Sequence, residues 1–109
     1  MPSQYVYIWA FQVKPGCEAR FEHIYGPQGA WVELFRKGPG YLRTELIKDL
    51  AMPNRYLTID YWQDEASNQL FRRQFAQEFS KLDRHCEGLT ESEELLGNFL
   101  TLVEDSGRD

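Results

Sequence analysis

Hydrophobic and polar positions alternate with two different rhythms along this chain, and the switches between them mark its elements. From Tyr5 to Val13 aromatic and β-branched side chains occupy both faces, the pattern of a strand covered on two sides and therefore central in its sheet. Lys14-Pro15-Gly16 ends that run. Phe21, Ile24 and Tyr25, then Trp31, Val32 and Phe35, recur at helical spacing and predict a first helix. Gly26-Pro27 falls inside it. Proline lacks an amide donor and disfavours helical geometry in the residue before it, so this helix should kink or divide in two. Lys37-Gly38-Pro39-Gly40 carries the signals of a helix stop.

Tyr41 to Lys48 reads as a second strand, residues 49–54 as a loop holding Pro53-Asn54, and Arg55 to Trp62 as a third strand paired with the second. Asp64 is placed to cap the next helix, with Glu65 favourable in its first turn. Ala66, Leu70, Phe71, Phe75, Phe79 and Leu82 form the expected apolar stripe of that second helix, and Arg72 and Arg73 its solvated face. Residues 83–94 are polar, contain Gly88 and read as a connection; residues 95–103 read as a fourth strand and 104–109 as a frayed tail.

The order strand, helix, strand, strand, helix, strand predicts an α+β, ferredoxin-like βαββαβ fold: a four-stranded antiparallel sheet with two helices on one face. The crossovers share a handedness, so both helices cover the same face and the other is bare. The third strand turns Tyr56, Thr58, Asp60 and Trp62 one way and Leu57, Ile59 and Tyr61 the other. The expectation is that Tyr5, Tyr7, Trp9 and Phe11 join Tyr56, Thr58, Asp60 and Trp62 on the bare face, while Val6, Ile8 and Ala10 meet the helices. Such a face is too apolar to stay wet, which predicts a homodimer built face to face, a dimeric α/β barrel.

Composition narrows the function. One domain over residues 1–109, with an ordered core of about 4–103, buries roughly two-thirds of its unfolded surface. Hydrophobic residues make up 42% and charged residues 27%, ordinary for a globular protein, whereas aromatics at 15% exceed the needs of a minimal core and predict a lined pocket or an interface. Net charge is −5 with the basic residues scattered, which argues against nucleic acid and anionic membranes as partners. No apolar run approaches the roughly 20 residues that span a bilayer, and no signal-peptide pattern opens the chain, so a cytoplasmic location is expected. Cys17 and Cys86 are far apart with no CxxC, and neither a metal site nor a disulfide framework is expected.

The chain resembles the antibiotic biosynthesis monooxygenase family of the dimeric α/β barrel superfamily. The resemblance rests on the aromatic first strand followed by Val13-Lys14-Pro15-Gly16, on Gly40-Tyr41-Leu42-Arg43, on Pro53-Asn54-Arg55-Tyr56, on Asp60-Tyr61-Trp62-Gln63-Asp64-Glu65-Ala66 and on Leu96-Gly97-Asn98-Phe99. It implies two protomers with facing sheets and a pocket between sheet and helices or near the interface. For enzymatic members it implies oxygen insertion into electron-rich aromatics without flavin, haem or metal. Trp62 matches the family's tryptophan closing the third strand, and Asp60 falls where an acid often precedes it. The chain departs from the family where some members place asparagine and it has Thr58, and where many place a helix histidine and it has Phe71. Haem degradation is rejected, since Trp9 stands at the strand-1 asparagine position and only His85, in poor register, stands near the helix histidine.

The leading expectation is therefore a cofactor-independent monooxygenase acting with dioxygen on an aromatic or quinol-like small molecule. Asp60 and Trp62 are the candidate catalytic residues, Asp60 or a tyrosine taking the proton and Trp62 holding a ring. Tyr7, Trp9, Tyr56 and Thr58 are the candidate substrate-binding residues, although large rings with a polar tip serve a dimer core equally well. The rival is a non-catalytic small-molecule-binding or stress-related protein of the same fold. The two differ in one observable: an enzyme should turn Asp60 into an open apolar cavity, and a structural dimer should fill that space with side chains.

Overall fold

The computed structural model describes residues 3–102. Its elements are β1 (Tyr5–Val13), α1 (Glu18–Tyr25), α2 (Ala30–Phe35), β2 (Tyr41–Lys48), β3 (Arg55–Trp62), α3 (Glu65–Gln74), α4 (Ala76–Cys86) and β4 (Thr90–Leu100), with a 3₁₀ turn at Glu87–Leu89. The four strands form one antiparallel sheet in the order β2-β3-β1-β4, so β1 is central as its two-sided pattern requires. This is the ferredoxin-like α+β arrangement.

The first helix does divide at Gly26-Pro27, into α1 and α2. The second divides as well, which its unbroken stripe did not foretell: Phe75 leaves helical geometry (φ −115°, ψ 29°) and starts a new axis. Inward positions shift accordingly. Asn68 and Phe71 are buried, whereas Ala66 and Leu70 of the expected stripe are exposed. Residues 83–94 are not a connection. α4 continues to Cys86 and β4 begins at Thr90, pairing with β1 from Val13↔Thr90 to Tyr5↔Leu100. β4 is an edge strand exposed along most of its length, so its first half carries Ser and Glu and lacks the apolar alternation that identifies strands. Val103 and the tail lie outside the described residues.

The largest correction concerns which sheet face meets the helices. Tyr5, Phe11, Tyr56 and Trp62 belong to one buried core with Phe21, Tyr25, Trp31, Leu34 and Phe71, so the aromatic face lies under the helices rather than bare. Both faces of β1 are apolar, and alternation cannot tell them apart. Volume decides. The layer between sheet and helices is thick and must be filled by rings reaching from both sides, as where Phe21 of α1 meets Phe11 of β1 at 5.3 Å and Tyr56 of β3 at 5.0 Å. The shorter Val6, Ile8, Ala10, Leu57 and Ile59 form the open face. That face remains apolar, and Ile47 and Phe99 on it are 45% and 47% exposed.

Two glycines fix the entry to β2 above this core. A Cβ on Gly38 would lie 2.9 Å from Phe71 and 3.2 Å from Trp62, and Gly40 has a φ of +94° with Ser67 Oγ 2.4 Å from where a Cβ would be. The turn thus lies directly on Trp62 and the start of α3. There Asp64 caps the helix by accepting from the Ser67 amide at 2.8 Å.

Candidate functional site

Between the aromatic sheet face and the helices lies a cavity of about 280 Å³. Its sheet wall comes from Tyr7, Trp9 and Phe11 on β1, Thr44 on β2, and Thr58, Asp60 and Trp62 on β3. Register explains the grouping: Tyr7 pairs with Asp60, Trp9 with Thr58, and Asp60 with Thr44, so these side chains share a face. The helix wall comes from Tyr25, Trp31 and Phe35, then Asn68, Phe71, Arg72 and Phe79, with Asp83 and Glu93 completing the lining. The lining is mostly ring surface with a few polar groups, the usual composition of a small-molecule site.

Asp60 is the chemical centre of this wall. It is only 6% exposed, and Thr44 Oγ1 donates to its Oδ1 at 2.6 Å. Thr44 has one proton, already given to Asp60, so the Tyr41 hydroxyl donates to Thr44 across 2.7 Å. This chain of donors holds Oδ1 and leaves Oδ2 without a protein partner among the described residues. Loss of solvent pushes the Asp60 carboxyl up; the Thr44 bond and the Arg72 charge oppose that, and the balance is a rise from 3.8 to about 6. Asp60 is therefore a stronger base than an exposed aspartate and is still ionised at neutral pH.

Arg72 stands half-buried on the cavity wall, its guanidinium 4.5 Å from the Phe79 ring centre and 5.5 Å from that of Tyr7. Its expected place on a solvated face is corrected; Arg73 alone is exposed. Asn68 is buried and lines the same wall. Sequence reasoning passed over both. The signal was available, since Asn68, Phe71 and Arg72 are spaced three and four apart and a helix must put them on one face. Thr44 was missed too, although the β2–β3 hairpin register places it opposite Asp60.

Five of the six residues expected at a site come together here: Tyr7, Trp9, Thr58, Asp60 and Trp62. Tyr56 does not. It is 1% exposed, lies off the cavity against Phe21, and donates its hydroxyl to Glu22 at 2.5 Å. Its position near the opposite end of β3 from Trp62 takes it into the solid core beneath α1. Trp62 is equally buried, wedged among Tyr41, Phe35 and Phe71 with ring centres at 5.3, 6.1 and 5.2 Å, so it serves the core as well as the wall. His23 and His85 are exposed and away from the cavity. Burial pushes the Cys86 thiol up, which disfavours a nucleophilic role. Among the described residues no cluster of three His, Cys, Asp or Glu is placed to hold a metal ion, and no helix is long and apolar enough to cross a membrane.

Fold and cavity together define a small ferredoxin-like protein with an aromatic pocket between its sheet and its helices. The chain belongs to the antibiotic biosynthesis monooxygenase family, whose model matches residues 5–77. Solved structures share the fold along nearly the whole chain. SnoaB of Streptomyces nogalater, a cofactor-independent oxygenase, is 23% identical with a TM-score of 0.68, over 98% of this chain and 99% of that one. PA3566 of Pseudomonas aeruginosa is 19% identical with a TM-score of 0.62, over 94% and 97%. NE2512 of Nitrosomonas europaea, a protein of unknown function, is 19% identical with a TM-score of 0.68, over 94% and 93%. No curated protein matches the chain in sequence.

Proposed function

We propose that this protein is a cofactor-independent monooxygenase that takes an electron-rich aromatic or quinol-like small molecule into the cavity and oxidises it with dioxygen. The observation that carries the proposal is Asp60: a desolvated carboxylate, held at Oδ1 and free at Oδ2, in the wall of an open aromatic cavity. A non-catalytic protein of this fold has no need to keep such a group there at a cost in stability. Family membership and the likeness to SnoaB support the same reading.

In this mechanism Tyr7, Trp9 and Trp62 hold the rings, and Thr58 and Asn68 bond a substrate oxygen. Asp60 Oδ2 removes the acidic proton. The resulting anion is stabilised by Arg72 and by the hydrogen-bond donors of the wall. It gives one electron to dioxygen, forming superoxide and a substrate radical, and the two combine into a peroxide anion that recovers the proton from Asp60. Loss of water from this hydroperoxide leaves a carbonyl. One oxygen atom stays on the substrate, the other departs as water, and the carboxylate is regenerated. A second copy of the chain across the open face, where Ile8, Ile47, Leu57, Ile59 and Phe99 lie, completes the assembly.

Oxygen uptake by protein freed of flavin and metal, supplied with anthrone-like and quinol substrates, tests the proposal. Turnover is expected, and Asp60→Asn should lower it by about 10²–10⁴. Full turnover in Asp60→Asn would remove the assigned base. No uptake across a broad panel would move the protein to the binding class.

A further inference from the structure

Side chains alternate along a strand, so two residues three apart should point to opposite faces of the sheet. Tyr41 and Thr44 of β2 do not. Tyr41 pairs with Trp62 and Thr44 with Asp60, and both of those partners face the cavity. The register shifts between Tyr41 and Arg43, where β3 advances by a single residue from Trp62 to Tyr61. Leu42 is therefore an extra residue, a β-bulge, and it is 44% exposed. The bulge returns Tyr41 to the face of Thr44. Without it the tyrosine would lie on the open face of the sheet, away from Asp60.

Neighbouring rings hold Tyr41 in this orientation, its centre 5.3 Å from that of Trp62 and 5.7 Å from that of Phe35. Its hydroxyl meets Thr44 Oγ1 at 2.7 Å, and Thr44 Oγ1 donates to Asp60 Oδ1 at 2.6 Å. A proton taken at Oδ2 leaves Oδ1 a carbonyl oxygen, which still accepts from Thr44. The chain thus survives both charge states of Asp60 without rearrangement. It is stronger in the ionised state, because a hydrogen bond to a charged acceptor exceeds one to a neutral acceptor.

Resting on the function proposed above, we infer that Thr44 and Tyr41 are positioning residues: they turn Oδ1 of Asp60 toward β2 and present Oδ2 as the reacting oxygen, and the bulge at Leu42 completes the arrangement. They act through Asp60. The other titratable groups around this cavity are Tyr7 of β1, Tyr25 of α1, Arg72 of α3, Asp83 of α4 and Glu93 of β4, with Arg36 beyond α2 acting on Tyr41. Among the described residues none of these bonds the Asp60 carboxylate, and Arg72 is the one whose charge acts on it. All of them stay in place when only Thr44 is changed.

Thr44→Val keeps the shape of the side chain and removes the donor. Carbon-13 NMR of protein labelled in its aspartates follows the Asp60 carboxyl, identified by the signal missing from Asp60→Asn. Loss of a donor to the charged form should raise the titration midpoint by about one pH unit or more. Tyr41→Phe should raise it less, and Thr44→Ser, which restores the hydroxyl, should bring it back. Oxygen uptake is then compared above every midpoint, where Asp60 is ionised in all variants. There kcat of Thr44→Val should fall by about 10–10²-fold with KM nearly unchanged, since the carboxylate is still a base but no longer aimed.

An unmoved midpoint in Thr44→Val, a plateau kcat equal to that of wild type, or a serine variant that behaves like the valine one overturns the assignment. The titration needs no substrate, which separates this inference from the function it rests on. A midpoint that rises in Thr44→Val and returns in Thr44→Ser, with no oxygen uptake, keeps the tie and sinks the oxygenase. Turnover with an unmoved midpoint does the reverse.

Discussion

Replacing Asp60 by Asn should make the protein more stable at neutral pH and less active. The carboxyl rises from 3.8 to about 6 on folding, mainly because burial strips it of water. At about 1.4 kcal/mol per pKa unit, keeping it ionised in the folded state costs about 3 kcal/mol. The sign follows from proton binding. Between these two values the folded state holds more protons than the unfolded one, so stability falls as pH rises from about 4 to about 6 and stays low above that. Asparagine approximates the protonated acid in shape and charge, and its carbonyl still accepts from Thr44. Asp60→Asn should therefore gain up to about 3 kcal/mol at about pH 7.5, and the gain should vanish near pH 4. Urea unfolding of both proteins across that range, at one fixed protein concentration, measures the difference. A variant destabilised at neutral pH, or a difference that does not change with pH, would refute the desolvated base.

Trp62→Ala should cost about 3–5 kcal/mol, because a side chain 1% exposed and touching Tyr41, Phe35 and Phe71 leaves a cavity that rigid neighbours cannot fill; an unchanged melting temperature would contradict its place in the core. The open sheet face should be covered by a second copy, so light scattering at micromolar concentration should return a dimer. Ile59→Lys on that face should shift it toward monomer, and a monomeric wild type would remove the assembly proposed.

What could be read from the sequence depended on how local the information was. The limits of β2 and β3 lie where pattern and punctuation put them, since Gly40 and Pro53-Asn54 bound runs with clear alternation. The break at Gly26-Pro27 was equally local. The break at Phe75 was not, because nothing in a phenylalanine opposes a helix and tertiary packing decides it. β4 was half hidden, as an exposed edge strand needs no apolar face within its own protomer. The site residues of β1 and β3 were legible as one face because strand periodicity is rigid. Which side of the sheet that face took depended on the volume enclosed by the helices, a property no single strand carries. Asn68 and Arg72 were missed for a related reason: a polar residue inside a helical stripe reads as solvated until a cavity is known to lie beneath it.

The most direct test of the central claim is the absorption spectrum of an anthrone bound anaerobically, so that deprotonation is seen without oxidation. Proton removal by Asp60 predicts that the ligand's anion band appears on binding above about pH 6, fades below it, and is lost in Asp60→Asn under conditions where that variant still binds. A bound ligand that stays neutral across the whole range in the wild type, while oxygen uptake proceeds normally once air is admitted, would contradict it.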